Sequence, residues 1–246
     1  MLRGFYNSAQ AMLLRQRQLD IISNNVANVN TAGYRKDEMV TNTFMEELIL
    51  VDGRRRTSGT FLQTYADETK ANLEQSNFEY TESKFDVGIW GNVYFNVAAQ
   101  DGNVYQTRDG QFELDDEGYL ILGRAGRVQG MGGDILLGSD DFVIDADGVI
   151  TNNEGIVDTL LLTYIPPESD VGKIGNNLFN YDGGEVLPAG ETFDIIQGCF
   201  EKSNVDANKE MMEAMEAQRH YETNSRMLRY FDTMNSKMAS LASLIK

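Results

Sequence analysis

The chain is poor in residues that cross-link, bind metals or interrupt regular structure: its 246 positions hold one cysteine, one histidine and three prolines. A lone Cys199 forms no intramolecular disulfide, and the missing Cys/His spacing removes the usual structural zinc sites. His220 has no second histidine and no cysteine beside it, so a metal site or catalytic dyad lacks partners, and a solvated helix surface is its expected setting. The roughly 18 consecutive apolar residues of a membrane helix occur nowhere, which predicts no direct membrane insertion. The opening stretch MLRGFYNSAQAMLLRQRQLD has no continuous apolar run of signal-peptide type, so no cleavable signal is expected.

Positive charge is scarce too. The formal net charge is −17, and residues 85 to 200 carry 4 basic and 20 acidic side chains, net −16. Phosphate backbones require clustered Lys or Arg, so nucleic acid is not an expected partner. Arg54, Arg55 and Arg56 lie between Gly53 and Gly59 and read as a solvated loop. Enzyme signatures are equally thin: no GxSxG, P-loop or GxGxxG stands in a usable context. The Asp145 to Gly148 turn fails the register of a calcium loop and reads as a hairpin. Asp115, Asp116, Asp140 and Asp141 supply carboxylate pairs in hydrophilic turns, where nothing in the sequence predicts burial or a raised pKa. Cys199 reads as a small buried hydrophobe at a strand end. No catalytic residue, cofactor or metal is assigned.

What the chain does have is periodicity. Leu2, Phe5, Ala9, Met12, Gln16, Leu19, Ser23 and Val26 are spaced 3, 4, 3, 4, 3, 4, 3, the repeat of a coiled-coil seam. The helix should end in the Asn-rich run Ser23 to Gly33, where Asn competes for its own backbone and Gly33 can adopt a left-handed cap. A second helix is predicted after Ser203, with Asn204 or Asp206 as N-cap. Its seam runs through Met211, Ala214, Gln218, Tyr221, Ser225, Leu228, Phe231, Met234, Met238, Leu241 and Ile245. Tyr6, Leu13 and Met212 fall outside either seam, so one helix pair leaves apolar side chains over, and folding coupled to assembly is expected.

Between the helices the period drops to two. Of the 23 glycines, 19 lie between residues 85 and 200. Val93, Phe95 and Val97 alternate with Asn92, Tyr94 and Asn96. Turn signals follow at Asp101-Gly102, Asp109-Gly110, Asp115 to Gly118 and Asp145 to Gly148. Leu160 to Ile165 reads as an apolar strand stopped by Pro166-Pro167. The expected fold class is α+β: paired long N- and C-terminal helices, coiled-coil-like, flanking a central antiparallel all-β domain. The expected divisions are 1–33 for the first helix, 34–84 for a linker or extended segment, 85–200 for the β domain and 201–246 for the second helix.

These residues carry a resemblance. NNVANVNTAGYR (Asn24 to Arg35) and SNVDANKEMMEAMEAQRHYETNSRML (Ser203 to Leu228) resemble the two terminal signatures of the bacterial flagellar rod and hook protein family. FDVGIWGNVYFNV (Phe85 to Val97) is similar to that family's first β segment, and YQTRDGQFELDDEGYL (Tyr105 to Leu120) to its Thr-Arg-x-Gly hairpin. MLRGFYNSAQAM is especially similar to the basal-body rod members, proximal or distal. The Gly53 to Ala71 segment is short beside the distal member's and leans toward a proximal role. Ala32-Gly33 stands where Pro-Gly is common, and Cys199 where Tyr is common.

The resemblance implies a structural subunit without an active site, exported through the flagellar type III apparatus and polymerised into the rod of the basal body. Its partners would be copies of itself and other rod and hook subunits. The terminal helices would form the inner wall and the acidic β domain would face outward. The candidate assembly interface accordingly takes Leu2, Phe5, Met12, Leu19 and Val26 on the first helix. It adds Asn25, Asn28, Asn30, Gly33 and Tyr34 in the Asn-rich run and Ser203, Asn204 and Val205 ahead of the second helix. On that helix it includes Met211, Met215, Tyr221, Leu228, Phe231, Met238 and Leu241. Two other readings stand beside it: an envelope carbohydrate hydrolase using a carboxylate pair of the β domain, and a closed coiled-coil adaptor.

Overall fold

The computed structural model describes residues 2–43, 64–99, 101–123, 125–153, 155–181, 183 and 192–244, without the side chains of 2–3, 42–43, 64–67, 239 and 241–244. The Arg54 to Arg56 loop, the apolar stretch Phe44 to Val51 and Ile245 lie outside the described residues, as do the side chains of Leu2 and Leu241. The chain divides into two compact units. One holds Met1–Ala27, Asp37–Lys70 and Asp206–Lys246, and the other Asn28–Lys36 and Ala71–Val205.

The first unit is built on helix α1 (Leu2–Ala27) and helix α2 (Ala207–Leu244), with a two-stranded sheet of Asp37–Thr43 and Thr64–Ala71. No Gly or Pro interrupts α2, and Asp206 starts it: its Oδ1 accepts the backbone N–H groups of Asn208 (2.9 Å) and Lys209 (3.3 Å). Asp206 is therefore the cap, and Asn204 is engaged elsewhere. α1 stops at Ala27, where the turn closed by Thr31 N–H to Asn28 C=O (3.1 Å) takes over. Gly33 does adopt a left-handed φ of +62°, but six residues beyond the helix end, so it caps nothing.

The helices run antiparallel and pack on each other. Near one end, a β-carbon built on Gly4 would lie 2.6 Å from Cζ of Phe231; near the other, Asn25 donates to Glu210 at 3.3 Å. Both helices place these residues 21 positions apart, three heptads and about 32 Å of helix at 1.5 Å per residue. The inner face of α2 is Glu210, Ala214, Ala217, Tyr221, Ser225, Leu228 and Phe231. Gln16, Ser23, Met211, Gln218, Met234 and Met238, placed by periodicity in the seams, are exposed. The α2 seam holds at Ala214, Tyr221, Ser225, Leu228 and Phe231; in the first turns Glu210 and Ala217 are buried in place of Met211 and Gln218, since neither carries a strong hydropathy signal.

The second unit is antiparallel β throughout its registered strand pairs. Its largest sheet runs Gly172–Gly175, Leu178–Asn180, Val104–Thr107, Val93–Ala99, Gly126–Gly130, Leu120–Leu122, Glu113–Leu114. Gly133–Asp134 is added to Gly126–Gly130, and Leu162–Tyr164 to Val93–Ala99. Phe142–Ile144, Val149–Asn152 and Gly155–Thr159 form a three-stranded sheet. Asp194–Gln197 pairs with Val87–Trp90, and Cys199–Glu201 with Phe78–Tyr80. Turns at Gly102, Gly118 and Gly148 have positive φ and close on Ala99, Asp115 and Asp145.

Two expectations need correction. Val93–Ala99 is buried on both faces: Val93, Phe95 and Val97 enter the main core, while Tyr94 packs with Leu73, Ile165, Val171 and Phe179 in a second one. Asn96 is buried as well, donating to the Leu161 carbonyl and the Thr163 hydroxyl, both at 2.9 Å. Asp109-Gly110 is no hairpin turn. Gly110 accepts the Val87 N–H at 2.9 Å, and a β-carbon there would overlap the Val87 carbonyl, so the glycine serves a close backbone crossing.

Candidate interaction surface

In the helix unit, apolar side chains remain on the outside of the pair. Tyr6 and Leu13 of α1 are 62% and 67% exposed; on α2, Met211, Met212, Met215, Met227, Tyr230, Met234 and Met238 are exposed as well. At helical spacing Tyr6, Leu13 and Arg17 share one stripe, as do Met212, Met215, Glu216, Arg219 and Thr223. The α2 stripe edges an open groove lined by Lys209, Met212, Glu213, Met215, Glu216, Arg219, His220 and Thr223. Scattered single apolar residues on a surface are ordinary; contiguous ones mark contact with another molecule. Thioether side chains suit such a face because they adapt to an irregular partner.

The predicted interface residues divide sharply. Phe5, Met12, Leu19, Val26, Tyr221, Leu228 and Phe231 are half-buried in the helix unit. Met211, Met215 and Met238 are exposed. Asn25 is fully buried, donating to the Asp37 carbonyl at 3.0 Å and accepting the Asp37 N–H at 2.9 Å. Asn28 is half-buried and Asn30 exposed. Gly33, Tyr34, Ser203 and Val205 are buried inside the β unit, beside half-buried Asn204. The signature residues Gly33, Tyr34 and Ser203 to Val205 thus knit the β unit together.

At their centre lies a buried charge cluster. Arg35 Nη1 donates to Glu201 Oε1 at 2.6 Å, and Arg108 Nη1 to Glu201 Oε2 at 3.2 Å. The backbone N–H of Ser76 adds a third donor to the carboxylate, on Oε1 at 2.7 Å. All three charged side chains are within a few per cent of complete burial. Arg108 also donates to the Ile89 and Gly91 carbonyls, and its guanidinium lies 4.7 Å from the centre of the Tyr94 ring. Burial opposes the Arg35 charge, yet Glu201 and Tyr94 lift its pKa above the ordinary arginine value. For Arg108 burial prevails despite Glu201, and its pKa falls.

Around the cluster the two signature stretches bond directly. Gly33 N–H donates to the Glu201 carbonyl at 2.7 Å and Lys36 N–H to Asn204 Oδ1 at 2.6 Å, while Asn204 Nδ2 donates to the Asn72 and Glu74 carbonyls. The Gly172–Gly175 and Leu178–Asn180 hairpin, turned by left-handed Asn176 and Asn177, closes over the same segment. Asn177 donates to the Ala32 carbonyl and Lys173 to the Arg35 carbonyl, with its ammonium 4.3 Å from the Tyr34 ring centre. In the sequence Arg35 and Arg108 fall inside the motifs of Asn24 to Arg35 and Tyr105 to Leu120 with no role apparent, and Glu201 falls outside any of them. Charged residues read as surface when their partners are 93 and 166 positions away.

In each predicted carboxylate pair one member, Asp115 or Asp141, is shifted away from general-acid character. Hydrogen bonds from Tyr119 and Glu117 N–H groups, aided by Arg127, hold Asp115 below the usual carboxylate range, and Lys84 and Asn153 do the same for Asp141. Asp109 alone among the described carboxylates is raised, to about 6, chiefly by burial. Among the described residues no group of His, Cys, Asp and Glu is arranged to hold a metal ion. Cys199 is fully buried at the start of its strand, its thiol pKa raised by burial, and His220 is exposed beside Glu216 at 3.5 Å.

Three family models match along the chain. One described as flagella basal body rod protein matches residues 5–35, one described as flagellar hook protein FlgE/F/G D1 domain matches 88–157, and one described as flagellar basal body rod FlgEFG protein C-terminal matches 196–241. Together they span more than half of the chain. Similar proteins include the flagellar basal-body rod protein FlgG of Buchnera aphidicola subsp. Acyrthosiphon pisum (strain APS), 28% identical over 98% of this chain and 100% of that protein. FlgG of Bacillus subtilis (strain 168) is 28% identical over 98% and 99%. FlgF of Caulobacter vibrioides (strain ATCC 19089 / CIP 103742 / CB 15) is 27% identical over 92% and 91%.

Proposed function

We propose how this chain, which belongs to the flagellar basal-body rod and hook protein family, does its work as a structural rod subunit: it polymerises through its two terminal helices into a hollow helical shaft. The subunit resides in the flagellar basal body and assembles with other rod and hook subunits, as its family does. No described helix is long and apolar enough to cross a membrane.

One observation carries the polymerisation reading: after α1 and α2 have packed on each other, Tyr6, Leu13 and the methionines of α2 still face outward. An exterior stripe of this length is covered when the pair joins neighbouring pairs, and heptad spacing on both helices supports a coiled-coil-like inner wall. The strongly acidic stretch 85–200 then suits the outer, solvated side of the shaft. The same reading takes the subunit as a non-enzyme delivered by the flagellar type III export apparatus.

Removing residues 2–27 tests it. Incorporation into the basal body is lost while the β unit, none of whose residues is removed, keeps its fold; incorporation at normal levels contradicts the reading. Light scattering of the full chain at rising concentration separates it from a closed adaptor, since dimers saturate and a head-to-tail interface keeps growing.

A further inference from the structure

We infer that the Arg35–Glu201–Arg108 cluster makes closure of the β unit an end-of-chain event, withheld until both residues 28–36 and the strand Cys199–Glu201 are in place. The inference goes beyond the assembly reading and stands independently of it. The β unit is discontinuous in sequence: residues 28–36 come from one end of the chain, and Glu201 from the last strand of the unit. Among the described residues Glu201 is the only carboxylate in ion-pair contact with Arg35 or Arg108. Before that strand arrives, closing the rest of the unit would bury two guanidinium groups with no counter-charge.

Such a state is strongly disfavoured, because an unpaired charge in an interior loses its hydration without return. The reverse omission is just as costly, since Glu201 alone would be a buried carboxylate. The surrounding contacts raise the same barrier. Glu201 Oε1 holds the Ser76 N–H, and the Glu201 carbonyl holds the Gly33 N–H, so backbone pairing and charge pairing complete together. A chain still being synthesised, or threaded end first through a narrow passage, therefore remains open over residues 71–198.

Native-state hydrogen exchange on the full chain tests this. The amides of Gly33, Ser76, Phe95, Val97 and Val128 are expected to exchange through one common opening, with the same denaturant slope. If Phe95, Val97 and Val128 stay protected at least tenfold longer than Gly33 and Ser76, the sheet stands without the cluster and the inference fails. Glu201→Gln supplies the second reading. It should cost the Val93–Ala99 amides about 100-fold or more in protection, or leave them unprotected, as expected for breaking a buried pair. Lys202→Gln, directly after the same strand and paired with Glu79 at the surface, should change protection less than threefold. Equal, small effects of the two substitutions would overturn the inference.

Discussion

Asn25 and Glu210, 185 positions apart in sequence, meet at 3.3 Å as buried side chains where α1 ends and α2 begins. Asn25 also exchanges two bonds with the Asp37 backbone, so its amide fixes the register of the helix pair and the exit of the chain from α1. Asn25→Ala removes at least these three hydrogen bonds at roughly 1 kcal/mol each, a loss of about 3 kcal/mol or more. Urea denaturation followed by helical circular dichroism measures it. A loss under 1 kcal/mol means the amide fixes nothing. Asn25→Asp places a second carboxylate against Glu210, and its destabilisation should exceed that of Asn25→Ala at pH 8 and shrink on acidification.

Gly33 combines a left-handed backbone with contact against another chain segment. A β-carbon there would overlap the backbone of Arg108 and Asp109, and φ is +62°. Conformation alone costs an alanine about 1–2 kcal/mol. The overlap with backbone adds to that, because backbone does not rotate aside. Gly33→Ala should therefore lower the stability of the β unit by more than 2 kcal/mol, read from its near-ultraviolet circular dichroism in denaturant. A neutral substitution would show that the segment sits less tightly than described.

Asp109 makes the β unit sensitive to pH in an unusual direction. Burial raises its pKa from 3.8 to about 6, with the nearby Asp86 charge adding to the effect. The folded state then holds the proton more tightly than the unfolded one, so stability falls as pH rises from about 4 to about 6 and stays level above. Asp109→Asn keeps an oxygen for the Gln111 N–H while removing the charge. It should stabilise the protein by about 1–3 kcal/mol at pH 8, with a smaller gain at pH 5. Denaturant melts at the two pH values measure the difference, and a pH-independent gain would assign the effect to something other than ionisation.

Much of this architecture is legible in the sequence because its determinants are local. Asp101-Gly102, Asp115 to Gly118 and Asp145 to Gly148 form turns by short-range hydrogen bonding and positive φ, and the two helices follow from heptad spacing that no proline interrupts. What escapes reading is set by distant partners. Glu210 and Asn25 are interior because they face each other, whereas Met211 and Met238, equally apolar to a periodicity count, lie outside. Arg35, Arg108 and Glu201 are buried only as a set. Tyr94 and Asn96 alternate like a solvated face, yet Phe179 and Thr163, far along the chain, cover them.

Cys199 is shielded by its surroundings: the side chain is fully buried, and a β-carbon on Gly88 would stand 3.0 Å from its Sγ. Burial also raises its pKa, which depletes the reactive thiolate. Labelling by a thiol reagent at pH 8 should therefore proceed no faster than opening of the β unit, and should accelerate in step with denaturant. Rapid labelling of the native protein would contradict the packing around this strand.

The outer stripe of α2 separates folding from assembly. Met212 is 65% exposed and Met215 is also exposed, so replacing both by glutamate removes little buried surface within one subunit. Stability of the isolated chain should change by no more than about 0.5 kcal/mol per site. If neighbouring subunits cover the stripe, each carboxylate must instead be buried at the contact, a cost that open-ended association cannot absorb at every repeat. The double variant should keep the dilute-solution helicity of the unaltered chain, show no growth by light scattering, and fail to enter the basal body. Leu13→Glu should do the same from the α1 side, because its side chain is 67% exposed before assembly. Normal incorporation of both variants would move the contact surface away from these stripes and leave the helix pair a purely internal support.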